Sequence, residues 1–241
     1  PRRRCRCDPR RGGPLRRVME SEHPLELELK YRADDPAPLR ALAAVSSLGP
    51  AALGPASVAD ELDRYLDTAD LRLAEARWAC RLRTRDARTT LSLKGPPRHE
   101  PQDALHRRPE VEGPAGPGAD PGTWPPSPAR DLLASLAGGP ASQLGLVERF
   151  TLEQRRTERT VLAGGRRIGL MSLDEVTVLR DSKARGTLLM VELEFVAGEP
   201  PDPRLVAELG AALAAVVGLL PDPHTKLEHA LTLLGERDAG G

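Results

Sequence analysis

Apolar and polar residues alternate with period two along much of this chain. Leu25–Tyr31, Val58–Asp67, Trp78–Thr84, Thr89–Lys94 and His106–Glu112 follow the pattern in the first half. Leu144–Leu152, Arg156–Leu162, Ile168–Leu179 and Thr187–Phe195 follow it in the second. Such alternation places successive side chains on opposite faces of a β-strand. Helical spacing is confined to Pro36–Ser47, Pro128–Leu136, Asp202–Leu219 and His224–Leu234. Asp35 is placed to cap the first of these, and Pro36 suits its first turn. Gly113–Pro128 is rich in Pro and Gly and reads as a surface loop. Eight or nine strands at hairpin spacing, with helices at the edges, predict a mainly antiparallel β (α+β) domain closed into a barrel with helices packed outside.

The polar face of these strands is organised. Glu26, Glu28 and Lys30 share one face of Leu25–Tyr31, opposite three leucines. Arg81 and Arg83 share a face, Lys94 follows Ser92, Arg108 joins Glu110 and Glu112, and Glu192 pairs with Glu194. A solvated sheet face explains any one segment. Five segments with paired like charges fit better with charged faces that turn inward around something. Carboxylate pairs hold hard divalent cations such as Mg²⁺ or Mn²⁺, and Arg and Lys hold phosphate oxygens. The implied ligand is a polyanion with metal. Such an interior must hold water or ligand.

Composition narrows the classes. The 35 basic and 35 acidic residues cancel, which argues against a strongly basic nucleic-acid binder, and 2 Trp, 2 Tyr and 2 Phe do not make a stacking platform for single strands. The longest apolar run, Ala211 to Leu220, is too short to span a membrane. Only Lys30, Lys94, Lys183 and Lys226 interrupt an otherwise all-Arg set of cations. Residues 1–19 are expected to form a disordered basic extension, or sequence upstream of a start at Met19. Residues 20–236 are expected to form one domain, with 237–241 a flexible tail. Cys5 and Cys7 lack a second ligand pair, Cys80 reads as a buried apolar residue, and this usage fits a reducing cytoplasm. His23, His99, His106, His224 and His229 have no metal-ligand spacing and receive no role. Glu153, Glu158 and Glu175 read as solvated.

Several of these residues also resemble a known family. Glu26-Leu-Glu28-Leu-Lys30 resembles the ExExK signature of the CYTH domain, or triphosphate tunnel metalloenzyme, family. Further elements follow in that family's order: Tyr65-Leu-Asp67-Thr68 with Asp70, Arg81-Leu-Arg83, Leu91-Ser-Leu-Lys94-Gly95, Arg108-Pro-Glu110-Val-Glu112, Arg156 with Arg159, Leu173-Asp174, Glu192-Leu-Glu194 and Thr225-Lys226. The match spans about residues 24 to 234. Arg159 stands where the family has an aromatic, Ser92 where it has Thr, and Thr225 where it has Ser.

The resemblance implies an eight-stranded antiparallel tunnel with a charged lumen. It implies that Glu26, Glu28, Asp174, Glu192 and Glu194 bind Mg²⁺ or Mn²⁺. Lys30, Arg81, Arg83, Lys94, Arg156 and Lys226 would hold the triphosphate, with Lys30 beside the scissile phosphate and Glu192 or Glu194 orienting the water. Arg108, Glu110 and Glu112 are assigned less firmly, and Tyr65 and Asp67 are read as structural. The expected activity is metal-dependent hydrolysis of inorganic triphosphate or a small organic triphosphate by a cytoplasmic monomer or homodimer. The partner is a small-molecule triphosphate or polyphosphate, with no stable nucleic-acid partner and no membrane. The alternatives are a class IV adenylyl cyclase making cyclic AMP from ATP, and a non-catalytic polyphosphate-binding module.

Overall fold

Tight turns and long strands build the frame. In the computed structural model, which describes residues 23–98, 104–198 and 201–236, β1 (Leu25–Ala33) leads to α1 (Ala37–Ala44), a small hairpin of β2 (Ser47–Leu48) and β3 (Ala51–Leu53), and then β4 (Ser57–Thr68). A one-turn helix, α2 (Arg72–Glu75), precedes β5 (Ala79–Arg85), β6 (Arg88–Lys94) and β7 (Leu105–Ala115). After α3 (Pro128–Ala137) come β8 (Leu146–Ala163), β9 (Arg166–Arg180) and β10 (Lys183–Phe195). The chain ends in α4 (Pro203–Ala214), β11 (Leu219–Pro221) and α5 (Lys226–Leu233). The expectations for residues 1–19 and 237–241, and those for Cys5, Cys7 and His99, lie outside the described residues.

Eight strands close antiparallel in the order β4-β5-β6-β7-β1-β10-β9-β8, and β8 pairs back onto β4. The β5–β6, β8–β9 and β9–β10 links are two-residue turns with both central residues left-handed: Asp86-Ala87, Gly164-Gly165 and Asp181-Ser182. That geometry matches the right-handed twist of the flanking strands. At Gly169 a Cβ would lie 2.4 Å from the Glu194 carbonyl oxygen, so only glycine lets β9 approach β10 there.

The apolar outer faces are covered. Leu29, Leu193 and Met171 pack with Leu39 and Leu42 of α1 and with Leu209 and Leu213 of α4. Leu82, Leu91 and Leu93 pack with Leu132 and Leu133 of α3 and with Trp124. The 113–128 segment is therefore more than a surface loop: β7 runs through Ala115, and Trp124 is buried. The two strands expected over 144–162 are one continuous β8. The helices expected to reach Ser47 and Leu219 stop at Ala44 and Ala214, because the following residues pair as edge strands, β2–β3 on β8 and β11 on β1. Arg159 points outward. Its guanidinium donates to the carbonyls of Leu42, Ala43, Val45, Leu53 and Gly54, tying the end of α1 and the small hairpin to β8. A cation thus does by hydrogen bonding what an aromatic would do by packing.

Inside the barrel the two ends differ. Along β9, after Leu170, the inward residues run Ser172, Asp174, Val176 and Val178, from polar and charged to apolar. At the apolar end, Tyr65, Phe150, Leu152, Val176 and Val178 pack under Ala230 of α5, so that helix plugs the barrel. Tyr65 and Phe150 stack at 4.7 Å. Asp67 accepts from the amides of Leu73 and Ala74, fixing α2.

Candidate functional site

The alternation that buries leucines outside sends its charged partners into the lumen. The charged half of the barrel opens into a cavity of about 730 Å³ lined by residues that include Glu26, Glu28, Arg81, Arg83, Lys94, Glu110, Glu112, Arg156, Glu192 and Glu194. Its mouth is formed by Arg85, Asp86 and Arg88 of the β5–β6 hairpin together with Glu158. Toward the plug it narrows to a space of about 30 Å³ between Lys30, Tyr65, Arg108, Glu192 and Lys226. The lining of the main cavity contains one apolar side chain, Leu170, and no aromatic ring.

Most site residues named from sequence fall into two neighbouring groups. Around β1, β6 and β7, Lys94 Nζ donates to Glu26 Oε1 at 2.6 Å and lies 3.3 Å from Glu110. Arg108 bridges Glu26 and Glu28 at 3.1 and 3.2 Å. Around β8 to β10, Arg156 grips Asp174 with two bonds of 2.8 Å. Lys226, at the start of α5, donates to Asp174 and Glu192 at 2.6 and 2.7 Å. Lys30 joins the groups, 3.1 Å from Glu28 and 3.3 Å from Glu192. Lys30, Glu28 and Asp174 are almost wholly buried. Lys226 reaches the lumen because Thr225 caps α5 in a capping box with Glu228, which sets the helix start at the barrel wall.

Arg81 and Arg83, also named from sequence, sit in a third group whose acids were missed in the sequence reading. Asp63 on β4 is fully buried, accepts two bonds of 2.7 Å from Arg83 and one of 2.7 Å from Gln154, and lies 3.4 Å from Arg81. Glu61 lies 3.1 Å from Arg83. The signal was present: Glu61, Asp63 and Tyr65 alternate with Leu62 and Arg64, as in the strands that were read correctly. Glu158, expected to be solvated, pairs with Arg85 at 2.9 Å at the mouth. Glu153 and Glu175 are exposed.

This packing sorts the carboxyls. Burial alone would raise them all, since desolvation disfavours charge. Lys94, Arg108 and Lys30 overcome it at Glu26 and hold that carboxyl below its ordinary range. Arg156 and Lys226 do the same at Asp174, and Lys226, Lys30 and Arg156 at Glu192. Glu194 goes the other way. It stands at the mouth, directly opposite Glu28 in the strand register. Its side chain stays open to solvent at the mouth, and partial desolvation by the barrel wall, followed by repulsion from Glu26, raises it to about 7. Glu112, beside Glu110, is also raised, first by burial.

These features fit a divalent cation with a polyanion. Glu26, Glu28 and Glu194 bring hard oxygen donors to one wall, and the raised Glu194 marks negative charge that lacks a close counterion. Arg81 Nε is buried without a hydrogen-bond partner, a donor left for a ligand or water. Asp174 and Glu192 are held by Arg156 and Lys226, as Glu26 and Glu28 are by Lys94, Arg108 and Lys30. Among the described residues, the group that brings three metal-ligand atoms within 4.8 Å of one another is Asp222, His224 and His229, outside this cavity.

The sequence model of the CYTH domain matches residues 24–228. No curated protein matches the chain. HpAC1 from Hippeastrum, an adenylyl cyclase candidate with a dominant triphosphatase activity, superposes with a TM-score of 0.62 at 20% identity, covering 88% of this chain and 96% of that one. An adenylate cyclase candidate from Bacillus halodurans gives 0.54 at 18%, with 85% and 97% covered. The PH1819 protein of Pyrococcus horikoshii gives 0.53 at 19%, with 86% and 98% covered. At these identities the likeness establishes the fold.

Proposed function

The chain belongs to the CYTH domain family, and from that premise we propose that it hydrolyses inorganic triphosphate to pyrophosphate and phosphate in the charged half of its barrel, with Mg²⁺ or Mn²⁺. The observation that carries the reading is the cavity lining: Lys and Arg interleaved with carboxylates, with Leu170 its one apolar side chain. Such a wall offers a base or thiazole ring no aromatic partner and only one apolar contact, with its guanidiniums engaged by carboxylates, which favours a bare triphosphate over a nucleotide or thiamine triphosphate.

In this reading Arg81, Arg83, Lys94 and Arg156 bind phosphate oxygens, with Lys30 and Lys226 at the narrow end. Guanidiniums suit paired oxygens and ammoniums single ones. Glu26, Glu28 and Glu194 would hold the cation, with Asp174 and Glu192 completing the acidic set and fixing Lys226 and Arg156. Bound there, the metal neutralises charge on the phosphate oxygens and lowers the pKa of a water. Between the two acids considered for orienting that water, Glu194 is favoured. Among the described residues it has no lysine or arginine within ion-pair distance, whereas Lys226 and Lys30 engage Glu192 at 2.7 and 3.3 Å and hold its carboxyl below the ordinary range. The cations stabilise charge on the transferring oxygens as the bridging P–O bond breaks.

The test incubates the purified chain with Mg²⁺ or Mn²⁺ against triphosphate, ATP and thiamine triphosphate, reading phosphate and cyclic AMP from the same samples. Phosphate from triphosphate and little from ATP supports the reading. Cyclic AMP with pyrophosphate from ATP replaces it with the cyclase alternative, and silence throughout replaces it with the binding module.

A further inference from the structure

Behind the plug, three side chains that the lumen does not use converge. Asp222 is fully buried. Its Oδ2 lies 2.6 Å from His229 Nε2, and its Oδ1 lies 3.6 Å from His224 Nδ1 while accepting the His224 amide at 3.0 Å. The two imidazoles stand edge to face, 5.5 Å apart. In a chain most of whose lumen acids lean on Lys or Arg, the side-chain partners of Asp222 are two histidines. The nearest lysine in sequence, Lys226, turns away to Asp174 and Glu192.

We propose that Asp222, His224 and His229 form a binding site for a zinc-class transition metal at the closed end of the barrel, stapling the 222–224 segment to α5. Two imidazole nitrogens and a carboxylate oxygen are a borderline donor set that suits Zn²⁺ and leaves a fourth position for water. The all-oxygen set of the lumen suits Mg²⁺ or Mn²⁺. At ligand bonds of about 2.0–2.1 Å, tetrahedral donors stand about 3.3 Å apart. One ligand atom from each of the three residues already lies within 4.8 Å of the other two, so the ion enters by displacing the proton shared by Asp222 and His229 and by side-chain shifts that draw the donors in.

The backbone holds the site in place. The Asp222 amide donates to the Lys30 carbonyl at 3.0 Å, and the Asp222 carbonyl meets His106 Nε2 at 2.8 Å. One ligand thus sits on the β1 and β7 wall and another on α5, with Lys226 between His224 and His229 in the chain. An ion here fastens the plug that carries Lys226 into the lumen. The inference does not depend on which phosphate ester, if any, the lumen cleaves.

The test titrates Zn²⁺, and Co²⁺ as its coloured substitute, into the full chain with Mg²⁺ in excess to occupy the lumen acids. Wild type, His224→Gln, His229→Gln and Glu28→Gln are compared by calorimetry, Co²⁺ absorption and melting temperature. One equivalent bound, an intense four-coordinate Co²⁺ band and a raised melting temperature are expected in wild type and Glu28→Gln. Each histidine variant should bind about 10-fold more weakly or worse. His224 is largely exposed, so its substitution tests the site without disturbing the fold. The proposal is overturned if wild type does not bind Zn²⁺ under excess Mg²⁺, if both histidine variants bind as wild type does, or if Glu28→Gln abolishes binding.

Discussion

Asp63 gives the sharpest check on how the lumen holds its arginines. It is fully buried and takes four polar contacts: two from Arg83 and one from Gln154 at 2.7 Å, and one from Arg81 at 3.4 Å. Asp63→Asn keeps the shape but removes the charge and turns one acceptor into a donor that faces other donors. Breaking a buried ion pair on one side costs about 3–5 kcal/mol. Glu61, 3.1 Å from Arg83, and Glu110, 3.8 Å from Arg81, recover part of it, so about 3 kcal/mol is expected. For a domain of this size that lowers the melting temperature by about 6–12 °C. Arg81 and Arg83 hold the Asp63 carboxyl below its ordinary value of 3.8 against the effect of burial. The stability it contributes is therefore present above that value and lost as pH falls through the lower folded one. The gap between variant and wild type should stay constant from about pH 5 to 8 and close in acid. Because Asp63→Asn leaves Arg81 and Arg83 with one fewer negative charge beside them, added triphosphate should raise the melting temperature more in the variant than in wild type. The assay is thermal unfolding at several pH values with and without triphosphate. A fall under about 2 °C, or an equal gain from triphosphate in both proteins, would refute the reasoning.

Three further expectations follow from the same geometry. Glu28→Gln should abolish metal-dependent phosphate release while shifting stability by only about 1–2 kcal/mol, because Lys30 keeps Glu192 and Arg108 keeps Glu26; retained turnover would remove Glu28 from the metal set. Mg²⁺ affinity, measured by calorimetry, should rise as pH passes through about 7, since Glu194 must lose its proton to serve as a ligand; in the metal-free protein the same raised carboxyl contributes stability in acid that is lost across that pH. Arg159→Met should leave several buried carbonyls unpartnered and cost about 3 kcal/mol or more by thermal unfolding, with phosphate release at low temperature unchanged; a melting temperature equal to wild type would contradict the five contacts drawn to that guanidinium.

Much of the barrel was legible in the sequence because one signal governed it. Period-two alternation located all eight barrel strands, and its paired like charges pointed inward before any fold was known. The same rule failed where packing supplied the reason. Ser47–Leu48 and Leu219–Pro221 carry too few residues to show a period, and they are strands only because β8 and β1 offer free edges. Trp124 reads as loop among prolines and glycines until the outer face of β5 and β6 is there to receive it. The apolar half of the lumen was hidden for another reason: Leu152, Val176 and Val178 look like ordinary core residues, and only closure by α5 gives them a plug to build. In the site, Glu26, Glu28, Lys30, Arg81, Arg83, Lys94, Arg156, Glu192, Glu194 and Lys226 all line the charged end. Glu61 and Asp63 lay on a correctly read strand but outside the family elements that the sequence resembles. His224 and His229 looked scattered because their common partner, Asp222, lies buried between them in space.

The most direct test of the account is an anomalous difference map from a crystal of the chain soaked with Mn²⁺ and triphosphate. The account predicts a Mn²⁺ peak inside the barrel against Glu26, Glu28 and Glu194, with phosphate density facing Arg81, Arg83, Lys94 and Arg156. Mn²⁺ and phosphate bound only on the outer surface, with the lumen holding neither, would contradict it.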